Sequence, residues 1–221
     1  MERTIKVTGT GRVSIKPDKT IVGLRFTNVL PTYEDALKAS AEEVNIVKDA
    51  LERVGIDRKS LKTTHFDIDT HYESYRDEHN NYKSKFDGYE YNQSLTFDFD
   101  VDNKLLGKVL FILSKLPVHP EFRINYGVKD YEKAKNELLE SAIKDSLKKV
   151  DIISKAAGVE LDGIQSINYS WIDVEFSSRS YDINECCCTK GAPEVNGCLD
   201  IDIEPDDIDR SDNITVIFNI K

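Results

Sequence analysis

The chain has 221 residues, 39% hydrophobic and 32% charged, enough to bury a real core as one large or two small domains. Its formal net charge of −10 repels phosphate backbones, and no Lys/Arg cluster interleaved with aromatics offsets it, so nucleic-acid binding is not expected. No run of about 18 apolar residues is present, so no transmembrane segment is predicted.

The N-terminus, Met1-Glu2-Arg3-Thr4-Ile5-Lys6-Val7, enters an alternating pattern at once, without an apolar signal core. This reads as a cytoplasmic protein, or as a periplasmic or cell-envelope one if a signal peptide has been removed. Ile5, Val7, Val13 and Ile15 share one parity around Gly9-Thr10-Gly11, which reads as an edge strand broken by a glycine bulge. Pro17-Asp18 turns the chain, and Val22, Leu24 and Phe26 alternate in the next strand. Thr32 with Asp35 three residues on gives a capping-box pattern for a first helix, striped by Tyr33, Leu37, Val44, Val47, Leu51 and Val54 and closed by Gly55.

Residues 61–76 and 83–101 read as the two long arms of one hairpin, with turn chemistry in Asp77, His79, Asn80 and Asn81. Each arm would reach about 50 Å, so the distal part is expected to project beyond the sheet or to pair with another chain. Tyr72, Tyr75, Tyr82, Phe86, Tyr89 and Tyr91 set aromatics among charges there, a composition suited to an oligomer interface as well as to covering a sheet. Asp102 caps a second helix with a wide face of Leu105, Leu106, Val109, Leu110, Ile112, Leu113 and Leu116, ended by Pro117. Phe122, Ile124, Tyr126 and Val128 then alternate in a strand.

The longest periodic run is 130–158. Tyr131, Ala134, Leu138, Ala142, Leu147, Val150, Ile153 and Ala157 stripe one side of a helix roughly 40 Å long, which needs a sheet to bury it. Gly158 is placed to cap its C-terminus. Residues 164–176 and 213–220 read as strands, and 177–211 between them as a loop without period. Strand, helix, Gly-aliphatic, strand recurs from 21–61 to 122–164, so the fold expected is α+β. It would comprise two β-α-β-β repeats joined by a helix on a mostly antiparallel sheet. A single domain of 1–221 divides into 1–101, a linking helix at 102–120, and 121–221 with its insert.

The run Gly9-Thr10-Gly11-Arg12-Val13-Ser14-Ile15-Lys16-Pro17-Asp18 resembles the Gly-x-Gly-x-Val…Pro-Asp signature of the SIMPL-domain family, also called domain of unknown function 541. Gly55-Ile56, the strand from Thr63 to Tyr72 and the Ala/Lys-rich helix ending at Gly158-Val159 fit the same pattern over nearly the whole chain. The resemblance implies a two-part α+β domain, found mostly in bacterial cell-envelope proteins. It implies ring-like or channel-like homo-oligomers in some members, links to oxidative stress in bacterial ones, and a kinase-binding vertebrate member. It brings no catalytic residue set. The insert with its cysteines departs from the pattern.

Other motifs compete with bland readings. A strand, not a helix, follows Gly9-x-Gly11, so a dinucleotide loop is not indicated. Cys186, Cys187, Cys188 and Cys198 could form a metal or redox site, yet three adjacent cysteines present at most two convergent thiolates. Asp200, Asp202, Glu204, Asp206, Asp207, Asp209 and Asp212 lack the glycine and closing glutamate of an EF-hand. His65 and His71 share a strand face with Asp67 and Asp69, an acid–base or metal arrangement without a nucleophile tied to it. The reading that results is a non-enzymatic, self-associating scaffold that needs no cofactor. The alternative is a thiol- or metal-dependent stress protein acting through the cysteine loop.

Overall fold

A computed structural model describes residues 3–169, 176–178, 181–182 and 203–221. Its helices and two sheets form an α+β fold. The described strands are β1 Thr4–Ile15, β2 Lys19–Leu30, β3 Lys62–Arg76, β4 Tyr82–Asp100, β5 Glu121–Gly127, β6 Leu161–Asn168, β7 Tyr181–Asp182 and β8 Ile208–Ile220. The helices are α1 Tyr33–Arg53, α2 Asn103–Ser114 and α3 Tyr131–Ala157.

Caps written in the sequence set the helix ends. Thr32 Oγ1 accepts from Asp35 N at 3.1 Å and donates to Asp35 Oδ2 at 2.7 Å. Asp102 Oδ1 accepts from Lys104 N and Leu105 N, and Asp130 Oδ1 from Lys133 N. Gly158 takes the left-handed conformation (φ +65°) that ends α3.

The chain forms two compact units, residues 1–18, 127–178 and 205–221 in one and 19–126 and 179–204 in the other. The first holds a sheet of order β1-β8-β6 with α3 upon it. Its core joins Val7, Ala142, Val150, Ile214, Val216 and Phe218, and a second cluster joins Ala134, Leu138, Phe176 and Ile208. The other unit holds a sheet of order β3-β4-β2-β5-β7. Its core packs Val22, Leu24, Phe26, Tyr91, Leu95 and Phe97 against Val47 and Leu51 of α1 and Leu106, Val109, Leu110 and Leu113 of α2.

Four expectations change. First, β1 carries no bulge: it pairs with β8 in unbroken antiparallel register from Thr4↔Asn219 to Ile15↔Ile208. Gly9 and Gly11 instead let α3 approach, because a Cβ on either would overlap the carbonyl oxygen of Ala142 or Leu138. Second, β5 lies beside β2: Ile124 and Tyr126 are fully buried in that core, and β1 takes the place beside β8. Third, the buried stripe of α3 is Ala134, Leu138, Ala142, Ser146, Val150 and Ser154, while Leu147 and Ile153 stay over 40% exposed. Contact with Gly9 and Gly11 places the small Ala142 and Ser146 on this stripe, and Ser146 and Ser154 satisfy their hydroxyls on the carbonyls of Ile143 and Asp151. Fourth, β8 begins at Ile208, inside the expected loop, and residues 181–182 pair with β5.

Candidate interaction surface

The β3–β4 hairpin owes its turn to Asp77. Its Oδ1 accepts from His79 N at 2.9 Å and Asn81 N at 3.0 Å, and Lys83 Nζ lies 3.0 Å from Oδ2. The Asn81 amide and the Lys83 ammonium hold the carboxyl below its ordinary value of 3.8. Asn80 adopts φ +63°, which its side chain tolerates, and it receives Arg76 Nη1 at 3.0 Å. The same guanidinium lies 4.6 Å above the Tyr82 ring.

Beside this turn the hairpin outruns its sheet. β2 accompanies β4 only to the pair Leu30↔Tyr89, so β4 from Gly88 to Tyr82 has β3 as its sheet neighbour. The register then skips Asp87, from His71↔Gly88 to Tyr72↔Phe86. That bulge turns Phe86 to the face of Tyr89. A run of edge-to-face rings results: Tyr33–Tyr89 at 5.8 Å, Tyr89–Phe86 at 5.5 Å and Phe86–Tyr72 at 5.7 Å between centroids. Tyr72 is 55% exposed, Phe86 43% and Tyr82 74%. Tyr75, also exposed, points to the opposite face, and Tyr89 is half-buried.

Tyr91 departs from the expected interface set. It is fully buried, in the core of its unit, near Glu43 of α1. Burial holds the Glu43 carboxyl above its ordinary value of 4.5, opposed by the Tyr91 hydroxyl, and raises the Tyr91 phenol as well.

The histidines lie on the face away from the helices. His65 Nε2 is 2.5 Å from Asp67 Oδ1, and His71 Nδ1 is 3.1 Å from Glu90 Oε2. His71 Nε2 also lies 4.0 Å from Asp87 Oδ2, yet among the described residues no three His, Cys, Asp or Glu side chains converge as metal ligands would. Cys186, Cys187, Cys188 and Cys198, with Asp200 and Asp202, lie outside the described residues. Asp209 and Asp212 belong to β8.

The N-terminal signature is architectural. Buried Pro17 ends β1, Asp18 N donates to Gly127 O at 3.1 Å, and Asp18 Oδ1 accepts from Lys129 N at 2.8 Å. On the free side of β1, α3 supplies the missing partners. Thr10 N donates to Asp145 Oδ2 at 2.7 Å, Arg12 N to Ser141 Oγ at 3.1 Å, and Lys149 Nζ to Thr8 O at 3.0 Å. That sheet edge is closed to further strands. Sequence reasoning missed these three side chains, because their spacing on α3 reads simply as a polar helix face.

Residues 5–218 match the SIMPL family, described as a protein of unknown function (DUF541). The chain belongs to the SIMPL family. Two curated relatives of this SIMPL chain carry the name 26 kDa periplasmic immunogenic protein, one from Brucella abortus (strain S19) and one from Brucella melitensis biotype 1. Each is 30% identical over 166 residues, 74% of this chain and 65% of the relative, so the match spans just under two thirds of their length. Among the described residues, no helix is long and apolar enough to cross a membrane.

Proposed function

We propose that this SIMPL protein works by binding rather than by catalysis, as a self-associating scaffold of the bacterial periplasm or cell envelope. The contact is made by the distal hairpin and the free edge of β3. The observation that carries this reading is the aromatic run Tyr89–Phe86–Tyr72, continued at Tyr82 on a ribbon of two strands. Two strands alone are marginal in water, and exposed rings beside an unpaired edge gain most when a partner covers them. The β1 edge is already filled by α3, and among the described residues β3, at 15 residues, is a longer edge than β6, at 8. Asp67, Asp69 and Glu73 along it disfavour a partner strand with acidic groups opposite. The periplasmic names of the relatives support the envelope location, and the stress link is carried over by family resemblance alone.

Light scattering after size exclusion, in reducing buffer, tests this. The wild type is expected to form a multimer, and Tyr72→Ser with Phe86→Ser to fall to the mass of one chain with thermal unfolding little changed. A wild type that stays monomeric at micromolar concentration would falsify the reading.

A further inference from the structure

Most strand glycines of this protein answer to their own fold. A Cβ at Gly9, Gly11 or Gly88 would overlap a backbone carbonyl oxygen, and Gly163 has φ +90°. Gly23, in the middle of β2, has no such reason. Its φ is outside the left-handed region, and among the described residues a Cβ there would meet nothing nearer than Arg123, at 4.0 Å. Glycine weakens a strand interior, and where no backbone crowds it, the space it leaves suits an approaching ligand.

That space is the floor of a depression of ≈ 340 Å³ on the sheet face turned away from the helices. Arg25 stands beside it on β2, Arg123 on β5, and Ser94 and Thr96 on β4, where they pair with Arg25 and Gly23. The bulge between Thr63 and His65 sets Thr64 at its margin, with its hydroxyl donating to Ser94 O at 3.2 Å. Two guanidiniums, of which Arg123 has a partner of its own, and a set of hydroxyls thus border this floor. Arg25 leans on the neutral Asn92 Oδ1, 3.4 Å away. One carboxylate, Glu121, is also at the margin.

The geometry points to a binding site for a small oxyanion, a phosphate or a carboxylate group, seated over Gly23 between Arg25 and Arg123. Forked guanidinium donors match either group, and the Ser94 and Thr96 hydroxyls supply neutral donors to the remaining oxygens. The overall charge of −10 works against general anion attraction, so any binding must come from this local arrangement. The site does not depend on self-association.

The test is an amide NMR titration of the full chain, first with inorganic phosphate and then with succinate, at constant ionic strength. Saturable shifts at Gly23, Ser94 and Thr96 are expected with at least one, and the stronger of the two identifies the source. Arg25→Gln should weaken binding about tenfold, the scale of one lost charge-assisted hydrogen bond. Gly23→Val should abolish binding with thermal unfolding little changed, since the new methyls enter open space. Lys38→Gln, on α1, should leave binding unaltered. Absence of saturation with both anions, or binding that survives Gly23→Val or Arg25→Gln undiminished, overturns the assignment.

Discussion

The two units lay helix on sheet with the same strand order, β6-β8-β1 in one and β3-β4-β2 in the other, yet they treat their edges in opposite ways. In the first, α3 packs chiefly on the edge strand β1. Gly9 and Gly11 bring the helix onto the backbone, and Asp145, Ser141 and Lys149 occupy the outward amides and carbonyl. In the second, α1 packs on β4 and β2, with ordinary aliphatic and aromatic side chains between. There α1 barely reaches β3, whose Ile68 packs at the margin of the core. Among the described residues, one unit therefore uses its helix to close the β1 edge, whereas in the other no helix closes the β3 edge.

The largest effect should come from forcing that close contact apart. Gly9→Val puts a side chain against the Ala142 carbonyl and the Ser146 side chain, neither of which can yield without shifting α3. Overpacking of this kind costs about 3 kcal/mol, read by urea denaturation. Gly23→Ala is the counterpart in the other unit and should be neutral or stabilising, by up to about 1 kcal/mol, because nothing opposes the new methyl. Equal losses at both positions would remove the distinction between the two packing modes.

Within α3 the same contrast runs between two leucines. Leu138 is buried and Leu147 is 45% exposed, although both fit one apolar stripe in sequence. Leu138→Ala should cost about 2 kcal/mol, the low end for a buried leucine, and Leu147→Ala no more than about 0.5 kcal/mol. Calorimetric melts of the two variants would rank them, and a reversed order would mean that α3 turns its Leu147 face, not its Leu138 face, to the sheet.

These leucines show what was legible in the chain. Helix ends were, since Thr32, Asp102 and Gly158 act through local hydrogen bonds and backbone conformation, although the Asp130 cap was not read. The long hairpin was too, since alternation and the Asp77–Asn81 turn are short-range signals. The rotation of α3 was not, because Ser146 and Ser154 read as polar while their hydroxyls are satisfied within the helix. Nor was the sheet that β5 joins: its alternation predicts a strand but not a neighbour. Of the expected surface, Tyr72, Tyr75, Tyr82 and Phe86 are exposed and Tyr91 is buried, a distinction that depends on where β2 stops and on the Asp87 bulge.

Opening the closed edge should give a smaller, local effect. Asp145→Ala removes the acceptor of the Thr10 amide and the partner of Lys149, 2.7 Å away. Hydrogen exchange at Thr10 should quicken, while the Val7 amide, on a residue of opposite parity in β1, should hardly change. Uniform acceleration along β1 would mean that α3 guards the strand by packing alone.

The smallest effect concerns the open unit and acid. The Asp77 carboxyl is held low in the folded hairpin by the Asn81 amide and Lys83, so the folded state binds that proton less readily than the unfolded chain does. Its contribution to the turn is therefore complete above the unfolded value, near 3.8, and is lost as pH falls through the depressed folded value. The His79 and Asn81 amide resonances should move only in that acid range, and Asp77→Asn should remove the transition while keeping the two amide acceptors in part. The contacts of β1 with α3 include an Asp145 carboxyl held low in the same sense by Lys149 and the Thr10 amide. Acid should thus loosen the edge guard and the hairpin turn together, and an Asn81 amide that stays fixed through the acid range would show that Asp77 does not control the turn.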